Sequence, residues 1–549
     1  MRGFFILYLL LLTTQTTFSQ MSTLGKIDEL LKEYEKPNTP GLSIGVVQNG
    51  KLIYSKGIGF STLEYNIKNS DSTVFSIASI AKQFTSACVW TLVRDKKIAL
   101  DDDVRMYLPE LPEYGEVIKI RHLLNHTSGF RDYNSLMYLM GFDYDTEYYD
   151  NQTLLQLACK QKGLNNIPGE KVIYGNTPYN LLAIIIERIT KQNLHEYANE
   201  NLFKPLGMSH TLIRTENNSL IKNRAVGYQS SDKGYLQFPR VQKSYGAGSM
   251  GSTVLDLVKW VEVLNGKNQK FTELTQFLTT CEMLPSGEKA HYGRGVMVDD
   301  YKGWKAISHS GYGLGGQSQL ITLPEKQISV IIMTNLESIN PTPISYKVLD
   351  LFLDAVNEKP TAKKKIFIPK SKDFHHFIGQ YKELNSDMKM EILMENDTLK
   401  AKGAQSRKAI ALQGCEPNKF HRINNESVKY EFFTEKNAPC DMMISFGGTP
   451  FYFKRAVFVN PQTVNLTEFV GSYSSEELGV TYRFFMKDNI LLLSYRNHEN
   501  IPLITVQKDE MGNGERALYH FVRNDKNEIS GMLLFAEGTV REIRFEKNQ

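Results

Sequence analysis

With only five cysteines in 549 residues, and no two of them at zinc-ligand spacing, the chain cannot be a disulfide-built scaffold or a zinc-finger-like module. Cys88, Cys159 and Cys281 read as small core residues, while Cys415 and Cys440 stay open as a pair for an oxidising compartment. An excess of one charge is also missing. The 64 basic and 60 acidic side chains leave a formal charge of +4, which argues for no nucleic-acid partner. The Lys363-Lys364-Lys365 run is short and reads as part of a solvated linker. After the first twenty residues no stretch of about 18 apolar residues occurs, so no stable membrane insertion is expected. A phosphate loop is absent as well: Gly246-Ala247-Gly248-Ser249-Met250-Gly251 lacks the lysine of that motif and reads as a tight turn lining a cleft. His122 and His126 stand four apart, but no glutamate follows the first, as the helical zinc motif requires. Their loop is expected to be structural, and neither metal nor cofactor is expected.

What is present points to an exported protein of two or three domains. Residues 1–20 carry Arg2, an apolar run from Phe4 to Leu12 and a polar stretch from Thr13 to Gln20, the order of a secretory leader. Cleavage is expected near Gln20, although Phe18-Ser19-Gln20 is not a small-x-small site. The mature protein is then periplasmic or secreted, and no cysteine beside that point offers a lipid anchor.

The chemistry centres on Ser79-Ile80-Ala81-Lys82. Residues three apart share a helical face, so a lysine amine lies within reach of the serine hydroxyl. A serine is a poor nucleophile without an adjacent base, and a lysine serves once burial lowers its pKa. The same spacing recurs at Ser219/Lys222, Ser230/Lys233, Ser286/Lys289 and Ser386/Lys389, all in polar, turn-like surroundings. Ser79 alone follows a β-prone segment and precedes Phe84, Ala87, Cys88, Thr91 and Leu92, one face of a buried helix.

Around it, Ile27 to Tyr34 reads as an amphipathic helix, and Gly41 to Val47 and Lys51 to Gly57 as strands joined at Asn49-Gly50, a strong hairpin signal. Tyr174 and Asn176 stand two apart in an extended segment and so project to one side. Thr177-Pro178 then starts a helix from Asn180 to Ile189. Trp304 to Gly311 reads as a strand, followed by strands Gln317 to Leu323 and Gln327 to Thr334. His309 and Gly311 face the same way in the first of these, and the glycine admits a substrate backbone.

In their order and spacing, Ser79-Ile80-Ala81-Lys82, Tyr174-Gly175-Asn176 and His309-Ser310-Gly311 resemble the motifs of the serine β-lactamase-like family of class C β-lactamases, penicillin-binding proteins and related esterases and peptidases. Leu123-Leu124-Asn125-His126-Thr127-Ser128-Gly129 is similar to a further hallmark of that family, and the resemblance covers roughly residues 27–355. It implies an α/β catalytic domain with a mainly antiparallel sheet flanked by helices. It also implies an acyl-enzyme on Ser79, proton transfer by Lys82 and Tyr174 with the base left open between them, and Asn176 on the substrate amide. Ser310 and Gly311 would line the substrate, and the N–H groups of Ser79 and Tyr312 would form the oxyanion hole. The departure is His309, where the lactamase pattern has a lysine beside the substrate carboxylate. The sequence therefore predicts an esterase, or a peptidase or amidase, acting on a small-molecule or short-peptide substrate. The alternatives are a D-aminopeptidase, D-alanyl carboxypeptidase or β-lactamase, and a non-catalytic wall- or ligand-binding protein.

The last third repeats itself. Phe377-Ile378-Gly379-Gln380-Tyr381 returns as Phe469-Val470-Gly471-Ser472-Tyr473, and Met394-Glu395-Asn396-Asp397 as Met486-Lys487-Asp488-Asn489, both at an offset of 92. The expected layout is a catalytic domain over 21–356, a linker over 357–372 and two small antiparallel β-barrel-like domains over 373–458 and 459–549. These resemble lipocalin-like modules, with interiors filled by side chains.

Overall fold

The computed structural model describes residues 23–353 and 371–548, apart from 145, 217, 240–242, 288, 314, 385, 387, 404–407, 424, 436, 437, 439, 447, 448, 457–459, 515 and 516. The expected leader and nearly all of the expected linker lie outside the described residues.

The N-terminal unit is built on a six-stranded antiparallel sheet in the spatial order Met297–Tyr301, Trp304–Gly313, Gly316–Leu323, Ile328–Thr334, Leu42–Gln48, Lys51–Ile58. Its central strands are continuous apolar runs because both faces are covered. In Ile328–Thr334 every residue is buried; Ile331 and Met333 enter one core while Val330 and Ile332 enter the other. On the second face lie the helix 23–31, which begins before Ile27 and ends in a 3-10 turn at Lys32–Tyr34, and the helix Pro341–Asp350. The Asn49-Gly50 hairpin forms as expected, with both residues at positive φ (49° and 76°), the twist a two-residue turn between antiparallel strands needs.

On the first face runs the helix Ala81–Arg94, which is buried from Ala81 to Leu92 on all sides and so is a central helix. Phe84 packs on Trp260 of the helix Val254–Leu264 at 4.3 Å between ring centroids, and the Trp260 indole N–H donates to Gln83 Oε1 at 2.6 Å.

Two β-modules follow. Strands from Gly379–Glu383 to Thr449–Arg455 close an eight-stranded barrel. Nine strands from Gly471–Ser475 to Val540–Lys547 form a nearly closed one, whose end strands are His498–Pro502 and Ile504–Gln507. The repeated residues have repeated jobs. Tyr381 donates to Phe377 O at 2.8 Å and Tyr473 to Phe469 O at 3.1 Å, each phenol tying a strand back to the helical turn before it. Asn396-Asp397 and Asp488-Asn489 are all at positive φ, making two equivalent hairpin turns. Both interiors are filled, the first by rings such as Phe377, Phe420, Phe432 and Phe453. The second shares one continuous core with Tyr133, Leu136 and Leu139 of the helix Tyr133–Leu139, so it is docked on the catalytic unit. Among the described residues no disulfide forms: Cys415 Sγ donates to Lys419 O at 3.2 Å and is not bonded to Cys440.

Candidate active site

The strand Phe75–Ser76 pairs with Met250–Ser252 and delivers the chain into a 3-10 turn, Ala78–Ile80, ahead of the central helix. Ala78 sits at φ +43°, a conformation an alanine adopts only at a cost of about 1–2 kcal/mol. The chain is thus bent sharply just before Ser79, and its hydroxyl is set at the helix entrance.

Lys82 is fully buried, and its Nζ lies 3.1 Å from Ser79 Oγ, 2.8 Å from Asn176 Oδ1 and 3.0 Å from the Ala247 carbonyl oxygen. Burial pushes its amine down from 10.5 to about 7, against the pull of the nearby Asp132 carboxylate. Two of the three neighbours are pure acceptors. A neutral amine therefore spends both N–H groups on Asn176 and Ala247 and turns its lone pair to the Ser79 hydroxyl. An ammonium fills all three contacts as donor.

Tyr174 lies beneath this amine, its ring centroid 4.7 Å from Nζ, and its phenol is close enough to Ser79 to feel the hydroxyl. Burial raises the phenol's pKa, and the neighbouring Ser79 hydroxyl only partly offsets it. Tyr174 and Asn176 do converge, but not by strand alternation: Asn176 is already in a helical conformation as the N-cap of Thr177–Thr190. Because Lys82 occupies Oδ1 of Asn176, the amide's NH2 is the end left to address a substrate carbonyl.

His309 and Gly311 share a buried face of the strand Trp304–Gly313, while Ser310 and Tyr312 point to the exposed one. His309 Nδ1 donates to the Ser310 carbonyl at 2.6 Å, which leaves Nε2 to accept from the Tyr292 hydroxyl at 3.1 Å. Burial, with the Lys82 charge second, lowers the imidazole to about 3. It is neutral at working pH and both its nitrogens are engaged. A Cβ at Gly311 would fall well inside contact with Ile77 O and Ser318 Oγ and come to 3.1 Å from Ala78 Cβ. Ile77 and Ala78 belong to the turn that carries Ser79, and Ser318 to the neighbouring strand Gly316–Leu323, so the glycine lets that turn pack against the strand. Gly311→Ala is accordingly expected to lower kcat/KM for an ester about 10²-fold, the effect of a displacement near 1 Å at the reacting atoms. Steady-state kinetics against wild type check this, with the circular dichroism spectrum unchanged.

Two further side chains build the site, Asp132 and His126, the first of them outside every motif named above. Asp132, buried, accepts the backbone N–H of Asn176 and, at 3.0 Å, that of Asn134; it caps the helix Tyr133–Leu139 and holds Asn176 against Lys82. Burial raises its carboxyl, with those N–H bonds and the Lys82 charge opposing. His126, at φ +60°, packs its ring 4.4 Å from Tyr174 and 4.5 Å from Tyr292. Its loop is structural as expected, yet it forms the wall behind Tyr174. The helix of His122 ends at Leu124, so the two histidines are not on one helical face. The only sequence signal for Asp132 is that of an N-cap, an acid ahead of the apolar helix.

Comparison with known proteins shows what the chain is similar to. The family model described as Beta-lactamase matches residues 27–351. "Protein flp" of Staphylococcus aureus (strain MRSA252) is 27% identical over 328 residues, 57% of this chain and 63% of that protein. A D-aminopeptidase of Brucella anthropi is 26% identical over 317 residues, 57% of this chain and 59% of that protein. The chain thus matches about three fifths of these relatives' length. Among solved structures, the octameric penicillin-binding protein homologue from Pyrococcus abyssi superposes with a TM-score of 0.55 at 23% identity, covering 86% of this chain and 98% of that one. With a family match over more than half its length and the fold to go with it, the chain belongs to the beta-lactamase family of serine hydrolases, which includes D-aminopeptidases.

Proposed function

We propose that the protein is an exported serine hydrolase that cleaves ester or amide bonds through an acyl-enzyme on Ser79. The observation that carries this is the Lys82 amine, poised near neutrality and fixed by two acceptors so that its lone pair faces Ser79 Oγ. Lys82 takes the Ser79 proton as Oγ attacks the substrate carbonyl. Tyr174, kept protonated by burial, hands its proton to the leaving group and is recharged from Lys82. Asn176 NH2 holds a substrate carbonyl, and the Ser79 and Tyr312 N–H groups face the developing oxyanion. Water then releases the acyl group by the reverse relay.

The neutral, fully engaged His309 supplies no cation for a carboxylate next to the scissile bond. This supports simple esters and amides over β-lactams and D-alanyl-D-alanine peptides. D-amino-acid amides rank first among amides, in view of the relative named a D-aminopeptidase. The test is an activity profile of wild type and Ser79→Ala over esters, D-amino-acid amides and nitrocefin, with intact-mass detection of the acyl-enzyme. The expected result is ester or amide turnover and acylation in wild type, both absent in Ser79→Ala. Nitrocefin turnover as fast as that of the esters would overturn the substrate assignment, and turnover that survives in Ser79→Ala would overturn the mechanism.

A further inference from the structure

The Ala247 carbonyl that holds Lys82 ends a short backbone segment, Ser244-Tyr245-Gly246-Ala247, to which three helices each send one buried polar side chain. Thr85 of the helix Ala81–Arg94 donates its hydroxyl to Gly246 O at 2.7 Å. Asn151, the first residue of the helix Asn151–Cys159, binds both main-chain groups of Tyr245: its Oδ1 accepts the N–H at 2.9 Å and its Nδ2 donates to the carbonyl at 3.1 Å. Asn180 of the helix Thr177–Thr190 donates to that same carbonyl at 2.8 Å and to Asn151 Oδ1 at 3.1 Å.

Buried backbone groups need partners, and here the partners are side chains of fixed geometry rather than a neighbouring strand. Their spacing ties them to the base. Thr85 stands one helical turn after Lys82, and Asn180 one turn after Asn176, so each helix that supplies a group at the amine also supplies the next side chain along its face to the segment. Two further contacts press the segment into place. Gly246 has φ +104°, and a Cβ there would come to 2.4 Å from Tyr179 O and 2.8 Å from Ala183 Cβ, closer than a side chain permits. The Tyr245 phenol donates to Glu187 Oε1 at 2.8 Å, on the same helix. The Ala247 carbonyl is therefore left little freedom to move away from Lys82 Nζ.

We propose that Thr85, Asn151 and Asn180 are positioning residues for the base: through the main chain of Tyr245 and Gly246 they set where the Ala247 carbonyl meets Lys82, and so which way the amine's lone pair points. The inference rests on the serine-hydrolase reading with Lys82 as base. A carbonyl binds an ammonium more strongly than an amine, so a carbonyl that drifts from Nζ favours the neutral form and lowers the Lys82 pKa further. The other titratable groups around the amine are Asp132, Tyr174, Tyr179, His126 and His309, and substituting a positioning residue removes none of them.

The test compares Thr85→Val, which keeps the shape and loses the hydroxyl, with Thr85→Ser, which keeps the hydroxyl and loses a methyl, in the full chain acting on a 4-nitrophenyl ester. In Thr85→Val, kcat is expected to fall about 10- to 100-fold with KM within about twofold, since acylation and deacylation use the same lone pair, and the acid limb of the pH profile to move down by about half a unit. Thr85→Ser stays within about threefold of wild type with its limb in place. NMR titration of Lys82 in protein carrying isotope-labelled lysine reads the same shift without turnover. A packing role predicts the opposite order, with Thr85→Ser the more damaged variant, and that order overturns the proposal. So does a Thr85→Val protein whose limb and Lys82 titration match wild type, however far its urea transition moves. If Thr85→Val does not fold, Asn151→Ala on a different helix carries the same expectation and the same overturning result. Absence of ester turnover in wild type defeats the hydrolase reading instead, and the NMR titration then decides the positioning role by itself.

Discussion

Replacing Lys82 with methionine is expected to lower kcat/KM for an ester by about 10²–10⁴-fold, the range associated with losing a positioned proton-transfer group. Methionine fills similar volume, so the fully buried site stays packed while the amine 3.1 Å from Ser79 Oγ disappears. In wild type the same group should appear in the pH profile. Lys82 is depressed to about 7, and only its neutral form has a lone pair for the serine proton, so kcat/KM rises with pH through an apparent pKa near 7 and levels off above it. The carboxylate of Asp132 opposes that depression. Asp132→Asn removes the opposing charge, so the limb moves to lower pH even as the variant loses stability. His309, at about 3, titrates too low to produce it. A limb that stays in place in Asp132→Asn, or a wild-type profile flat between pH 5 and 9, would reject Lys82 as the base.

Much of this site is legible in the sequence because its geometry is local. Ser79 and Lys82 meet through one helical turn, the Asn49-Gly50 hairpin follows from two residues that tolerate positive φ, and the duplicated barrels show in turn pairs that each demand the same backbone. What is hidden depends on distant chain. The third partner of Lys82 is the carbonyl of Ala247, a backbone group with no side-chain signature. Asp132 reads as a helix cap, and nothing near it in sequence shows that its second oxygen meets Asn176, 44 residues on. Gly311 is legible as a close approach, but the sequence does not name what comes close on its Cβ side: Ile77 and Ala78 of the Ser79 turn, and Ser318 of the next strand. The apolar Tyr133, Leu136 and Leu139 mark a buried helix face without saying that a barrel more than 300 residues later will cover it.

That barrel is part of the catalytic unit, and one buried ion pair is the place to test it. Arg131 and Glu477 meet at 2.5 Å with side chains 3% and 5% exposed. Nη1 of Arg131 also reaches Gln161 Oε1 at 3.0 Å and Nη2 the Arg541 carbonyl at 2.6 Å, while Glu477 Oε2 also accepts the Lys162 N–H at 2.8 Å. Glu477→Gln keeps the volume and removes the charge, leaving a guanidinium buried without its counter-ion. The expected cost is about 3–5 kcal/mol in the urea transition, against a far smaller shift for Lys162→Ala, whose pairing with Glu476 is exposed. The damage should not stop at stability. Arg131 is joined to Asp132, whose own N–H donates to Thr539 of the second barrel at 3.2 Å and whose carboxylate fixes Asn176 on Lys82. Loosening the barrel therefore loosens the acceptor that turns the Lys82 lone pair toward Ser79. In Glu477→Gln, kcat should fall well below the transition midpoint, at urea concentrations where the chain is still folded. Full activity retained up to an unshifted transition would mean that the barrel sits on the enzyme without bracing it.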